Sequence, residues 1–134
     1  MADIDPNVKE DPYAYQAHLG FEIAGWDTDY CRVEQPLLPH LMNRYGIPHG
    51  GVYASLLDTA MGFSGCYTGD PDNRRLGMTL NLSVNYLGRP KGKVLICEGM
   101  RVGGGAKTFF AEGILKDETG EIIAKATGVF RYRS

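Results

Sequence analysis

Apolar residues along this chain recur with two different periods. In the second half the period is two. Met78, Leu80, Leu82, Val84 and Tyr86 alternate with Thr79, Asn81, Ser83 and Asn85, the signature of a half-buried strand running to Leu87. Gly88-Arg89-Pro90-Lys91-Gly92 turns the chain, and Val94, Ile96, Met100 and Val102 continue the alternation in a second strand. Gly103-Gly104-Gly105 ends it, and Thr108 to Leu115 reads as a third. Asp117-Glu118-Thr119-Gly120 is a hairpin turn with a glycine available for positive φ, and Ile122 to Tyr132 reads as the last strand. Upstream, Phe21 to Gln35 is strand-like but broken at Gly25-Trp26-Asp27, where a bulge or hairpin-like bend is expected. Asp11-Pro12 starts a short helix over Pro12 to Leu19, closed by Gly20. Residues 1–11 read as a loose acidic lead-in.

Between these strands the pattern changes. Pro36 to Met42 is a connector whose two prolines rule out a regular strand. The loop Asn43-Arg44-Tyr45-Gly46-Ile47-Pro48 then leads into His49-Gly50-Gly51 and a long, mostly apolar segment that predicts a helix from about Gly50 to Tyr67. Asp58 is its only carboxylate, and a charge on an apolar helix is costly unless paired, hydrated or used. Gly62 and Gly65 each cost about 1 kcal/mol relative to Ala inside a helix. They imply a close neighbour, either a wrapping sheet or a second copy of the helix. One strand, one long apolar helix and four sequential antiparallel strands, expected to pair as neighbours, give an α+β fold. A curved antiparallel sheet of five to six strands wraps one central helix, in a single domain over residues 1–134.

Composition narrows the classes. With 43% hydrophobic and 22% charged residues, the chain is an ordinary globular domain. No run of about 18 apolar residues exists, so no membrane span or membrane partner is expected. The N-terminal residues lack the basic and apolar regions of a signal peptide, and Cys31, Cys66 and Cys97 form no metal or redox motif. They are expected to be reduced core thiols of a cytoplasmic protein, with no metal site. Residues 1–73 hold 3 Lys/Arg and 11 Asp/Glu, and residues 74–134 hold 11 and 5, so the halves carry −8 and +6. That asymmetry suits a local anion site or merely solvated basic strand faces. It does not suit a nucleic-acid surface, which needs a strongly basic domain.

The pattern N-x₂-G-x₂-H-G-G over Asn43–Gly51, with Asp58-Thr59-Ala60 nine residues beyond the His and an alternating strand over Met78–Leu87, resembles the hotdog-fold acyl-CoA thioesterases. Within them it looks like the phenylacetate-degradation type (PaaI-like). The resemblance covers about Phe21 to Tyr132. It implies hydrolysis of an aryl-acetyl- or medium-chain acyl-CoA, with no cofactor apart from the CoA of the substrate. It also implies a homodimer or homotetramer whose active sites lie between subunits. On matching positions Asp58 is the catalytic carboxylate, the Gly50 backbone N–H of the partner subunit polarises the carbonyl, Asn43 and His49 are loop partners, and Thr79 helps place the water or the acid.

Elementary chemistry fits these roles and also offers plainer ones. The first N–H groups of a helix lack internal acceptors and sit at the positive end of its dipole. One such donor aimed at an oxyanion is worth roughly 10²–10³ in rate. Gly50 and Gly51 could equally serve tight packing, Asp58 a backbone hydrogen bond, Asn43 an ordinary turn, and His49 a helix cap. Asp58 lies two turns beyond Gly50, so only a symmetric partner could bring the two to one carbonyl. Tyr53, Leu57, Met61 and Phe63 are expected around the acyl group. Arg89, Lys91, Arg101 and Lys107, beside glycine-rich turns, are candidates for the phosphates of CoA. The competing functions are a hotdog 3-hydroxyacyl-thioester dehydratase or hydratase, whose His and acid follow a different spacing, and a non-catalytic acyl-CoA-binding module.

Overall fold

The computed structural model describes residues 2–133. Its elements are α1 (Ala14–Leu19), β1 (Glu22–Asp27), β2 (Tyr30–Pro36), a 3-10 turn at Pro39–Leu41, α2 (Gly50–Ser64), β3 (Gly77–Tyr86), β4 (Val94–Gly104), β5 (Thr108–Asp117) and β6 (Ile122–Tyr132). The six strands form one antiparallel sheet in the order β1-β2-β4-β5-β6-β3, wrapped round α2 in the hotdog arrangement.

The expected break near Gly25 is two features. A bulge between Ile23 and Gly25 shifts the register, and the hairpin turns later, at Asp29, which takes φ 58°. α1 begins two residues after Pro12, and Gly20 closes it in the left-handed conformation. α2 stops at Ser64 rather than Tyr67. Gly65 is its C-cap, where the Phe109 ring lies so close that a β-carbon would stand 2.5 Å from it.

The tightest helix–sheet approach comes from glycines of the sheet. Leu56, Leu57, Ala60 and Met61 are 0% exposed and lie on Gly99, Gly113 and Gly128 of β4, β5 and β6. A β-carbon at Gly99 would fall into the Ala60 carbonyl, and one at Gly113 would stand 3.0 Å from Leu57. At Gly99, therefore, helix backbone rests on strand backbone with no side chain between them, while Gly113 and Gly128 make room for the Leu57 and Met61 side chains.

Three expectations are corrected. β3 and β4 are sequential but do not pair: β4 joins β2, and β3 crosses to the far edge beside β6. This order leaves β1 and β3 as the two edges, with α2 packed against all six strands. β3 is half-buried along only part of its length: Leu82 and Val84 pack on the core, whereas Met78 and Leu80 are 49% and 54% exposed on the free edge. Thirdly, the acidic lead-in is tied down. The buried Arg32 guanidinium donates to Ala2 O (3.1 Å), Ala24 O (3.2 Å) and Asp3 Oδ1 (3.0 Å), and Val8 is buried. All three cysteines are free and buried.

Candidate active site

α2 presents a second face. Asp58, Thr59, Gly62 and Phe63 recur at helical spacing, turned away from the sheet-facing residues, and with Cys66 just past the cap form the floor of a cleft of about 240 Å³. Tyr13, Trp26 and Phe130 wall it. Thr79 Oγ1 donates to Asp58 Oδ1 at 2.6 Å, so one carboxylate oxygen is held while the other stays open to the cleft. This contact depends on a bulge in β3. Thr79 pairs with Phe130 but Asn81 with Val129, leaving Leu80 as an extra residue between them. The bulge shifts the alternation by one, so Thr79 turns toward α2 although it belongs to the polar set of the sequence pattern. The Tyr13 hydroxyl lies 3.3 Å from Thr59 Oγ1. Burial, and secondarily the Asp58 charge, raises its pKa above the usual tyrosine range. Burial pushes the Cys66 thiol to about 11, so it stays protonated and non-nucleophilic at neutral pH.

The loop before α2 builds a separate group. Asn43 Oδ1 accepts from Tyr45 N–H (2.8 Å) and Ile47 N–H (3.4 Å), and Gly46 takes φ +77°, so Asn43 holds the turn. His49 caps α2: its Nδ1 accepts from Gly51 N–H at 2.8 Å, which leaves the proton of the neutral ring on Nε2. Gly51 N–H is thereby occupied, whereas Gly50 N–H has no protein acceptor among the described residues. The glycine pair also makes room for two rings. A β-carbon at Gly50 would stand 3.2 Å from Tyr86, and one at Gly51 2.9 Å from His49. The Tyr86 hydroxyl donates to Gly50 O at 3.2 Å.

Within the chain Asp58 and Thr79 come together, and so do Asn43, His49, Gly50 and Gly51, but the two groups remain apart. Asp58 lies eight positions beyond Gly50 on α2, about 12 Å along the axis. Of the residues expected around an acyl group, only Phe63 lines the cleft. Tyr53, Leu57 and Met61 are sealed in the core, because the most apolar face of α2 packs on the sheet. Tyr13, Trp26, Thr59, Arg75 and Phe130 line the cleft with Phe63. The recurrence of Thr59, Gly62, Phe63 and Cys66 at steps of three and four was the available signal for this face.

The expected phosphate-binding cations do not converge. Arg89 and Lys91 lie in the β3–β4 loop. Asp117, itself buried, pins that loop by accepting from Lys91 N–H (2.6 Å) and Gly92 N–H (2.8 Å). Lys91 Nζ faces Glu121 at 3.3 Å. Arg101 and Lys107 lie toward the other end of β4, more than about 20 Å of strand away. Arg101 stands 4.0 Å from Asp29. Lys107 lines an open groove with Arg131 and Arg133, two cations the motif reading passed over. Among the described residues no group of His, Cys, Asp or Glu is arranged to hold a metal ion.

Comparison with known proteins adds the context. The model of the Thioesterase superfamily matches residues 45–124. No curated protein matches the chain. Among solved structures, a conserved protein of Pseudomonas aeruginosa is 25% identical, with a TM-score of 0.83 over 91% of this chain and 95% of its own. The PaaI protein of the Escherichia coli phenylacetic acid degradation operon is 17% identical, with a TM-score of 0.79 over 91% and 86%, a likeness of fold. A Bacillus halodurans protein solved with CoA is 30% identical, with a TM-score of 0.66 over 76% of this chain and 66% of its own.

Proposed function

This chain belongs to the thioesterase superfamily, and on that premise we propose that it hydrolyses an acyl-CoA thioester, with Asp58 as the reacting carboxylate. The observation that carries this reading is the Thr79–Asp58 hydrogen bond at 2.6 Å inside an aromatic-walled cleft. It leaves one carboxylate oxygen free and orients it. As general base, that oxygen takes a proton from water as the water oxygen bonds to the thioester carbon. The C–S bond then breaks, and the proton passes to the departing thiolate, giving free acid and CoA. As nucleophile, Asp58 would bond to the thioester carbon and expel the CoA thiolate, giving a mixed anhydride; water then opens it, returning the Asp58 carboxylate and the free acid and leaving a proton for the thiolate. The CoA-bound Bacillus halodurans relative supports a CoA-bearing substrate. Here the Lys107, Arg131 and Arg133 groove offers its phosphates three cations.

The missing carbonyl donor comes from a second protomer. β3 is a ten-residue edge strand with Met78 and Leu80 exposed, and Leu76 exposed just before it, the kind of edge that pairs with another chain. Edge-to-edge pairing about a two-fold axis sets one protomer's Gly50 N–H, the unpaired first-turn donor, against the partner's Asp58. The test is thiol release from a panel of acyl-CoAs, run beside sedimentation of the same samples. Turnover is expected, falling about 10²-fold or more in Asp58→Asn. Turnover unaffected by Asp58→Asn overturns the role of Asp58. An enoyl product without thiol release, or tight binding without reaction, overturns the hydrolase reading. A fully active monomer overturns the shared site.

A further inference from the structure

The cleft is charged at both ends. Asp58 stands at one. At the other, past Cys66, lies Arg75. Between them the floor follows α2 from Asp58 to its cap at Gly65, about 10 Å at 1.5 Å per residue. Arg75 is held in place by a stack of rings. Its Cζ sits 3.4 Å above the centroid of Tyr132, and Tyr132 lies 4.9 Å from Phe109, which stacks on Phe130 at 5.0 Å. The Tyr132 hydroxyl donates to Gly65 O at 2.7 Å, which locks the platform to the end of α2. A guanidinium lying flat on a ring keeps the N–H groups at its edge available, in the fork geometry that fits a carboxylate. Among the described residues no carboxylate pairs with Arg75. Glu10, the other acid lining the cleft, faces Arg74 at 3.7 Å.

We propose that Arg75 recognises the far end of the acyl chain, and that the preferred substrates are CoA thioesters of dicarboxylic acids, whose free carboxylate reaches this guanidinium. This rests on the acyl-CoA hydrolase reading. At about 1.2 Å per extended bond, the five to seven carbon–carbon bonds of a six- to eight-carbon diacid span roughly 6–8 Å, and a hydrogen bond of about 3 Å to the guanidinium covers the rest. Trp26, Phe63 and Phe130 wall its methylenes. The Asp58 charge opposes the reversed orientation, in which the free carboxylate would sit beside it.

The experiment compares suberyl-CoA with octanoyl-CoA, chains of equal length that differ in the terminal carboxylate. Thiol release gives the ratio of their kcat/KM. Quenching of Trp26, the one tryptophan of the chain, gives the ratio of their Kd even where turnover is slow. The expected ratio favours suberyl-CoA about tenfold, the size of one charge-assisted contact reduced by partial exposure. It falls to about one in Arg75→Gln and inverts in Arg75→Glu. Hydrolysis of both thioesters with no preference overturns this inference and leaves the hydrolase reading standing. An equal loss on both in Arg75→Gln assigns Arg75 to the CoA phosphates and also overturns it. No thiol release from either fails the hydrolase reading alone, and the Kd ratio then decides whether Arg75 selects the carboxylate.

Discussion

Leu57 and Asp58 are neighbours on α2, yet they belong to different worlds. Leu57 is sealed against Gly113 of β5, while Asp58 stands in a cleft with one oxygen held by Thr79 and one free. The sheet-side residues are fully buried, and the cleft-side face borders space that the chain leaves unfilled. The same helix is a structural strut on one side and a work surface on the other. Substitutions on the two sides are therefore expected to separate cleanly into losses of stability and losses of activity.

The largest break is expected at Gly99→Val. Its β-carbon cannot coexist with the Ala60 carbonyl, so helix and sheet must part, and thermal or urea unfolding should show a loss of about 4 kcal/mol or an unfolded chain. Leu57→Ala, on the same face, is expected to cost about 3 kcal/mol by chemical denaturation. Asp58→Asn, one residue on, is expected to lower kcat about 10²-fold, near 2.7 kcal/mol of barrier, with no matching fall in Tm. Thr79→Val is expected to lower kcat about tenfold through loss of one hydrogen bond to a charged group, again without a fall in Tm. A large drop in Tm for the last two variants would erase the contrast between the faces.

Acid sharpens the same contrast from outside both faces. Hydrogen bonds from Thr119, Gly92 and Lys91 outweigh burial and hold the Asp117 carboxyl well below the usual carboxylate range. A carboxyl depressed in the folded state stabilises above its unfolded value of about 3.9 and loses that contribution as the pH falls below it. Denaturation midpoints should therefore fall as the pH drops from 5 toward 3. Asp117→Asn should remove about 2 kcal/mol at pH 7 and flatten that slope.

Much of this architecture was legible in the sequence. Period two gave the strands after residue 76, and the single long apolar segment gave α2. The loop–His–Gly–Gly pattern and the lone acid pointed to both halves of the candidate site. What escaped notice was three-dimensional. Strand order depends on how a sheet closes over its helix, and local pattern does not encode that. The apolar residues Tyr53, Leu57 and Met61 read as a pocket because hydrophobicity alone does not say which neighbour covers it. The bulge at Leu80 carries no glycine or proline to announce it, so the alternation through Met78–Tyr86 looked like one uninterrupted face.

That extra residue gives the strand a change of phase. On one side of it β3 follows one parity, with Thr79 delivered to the acid; on the other it follows the opposite parity, with Leu82 and Val84 packed against the core. A chain lacking Leu80 would keep the ladder with β6 and bring the whole strand into one phase. Either the hydroxyl would leave the cleft or the two aliphatic side chains would leave the core. In this strand the length of the chain, as much as the identity of Thr79, decides whether packing and chemistry can coexist.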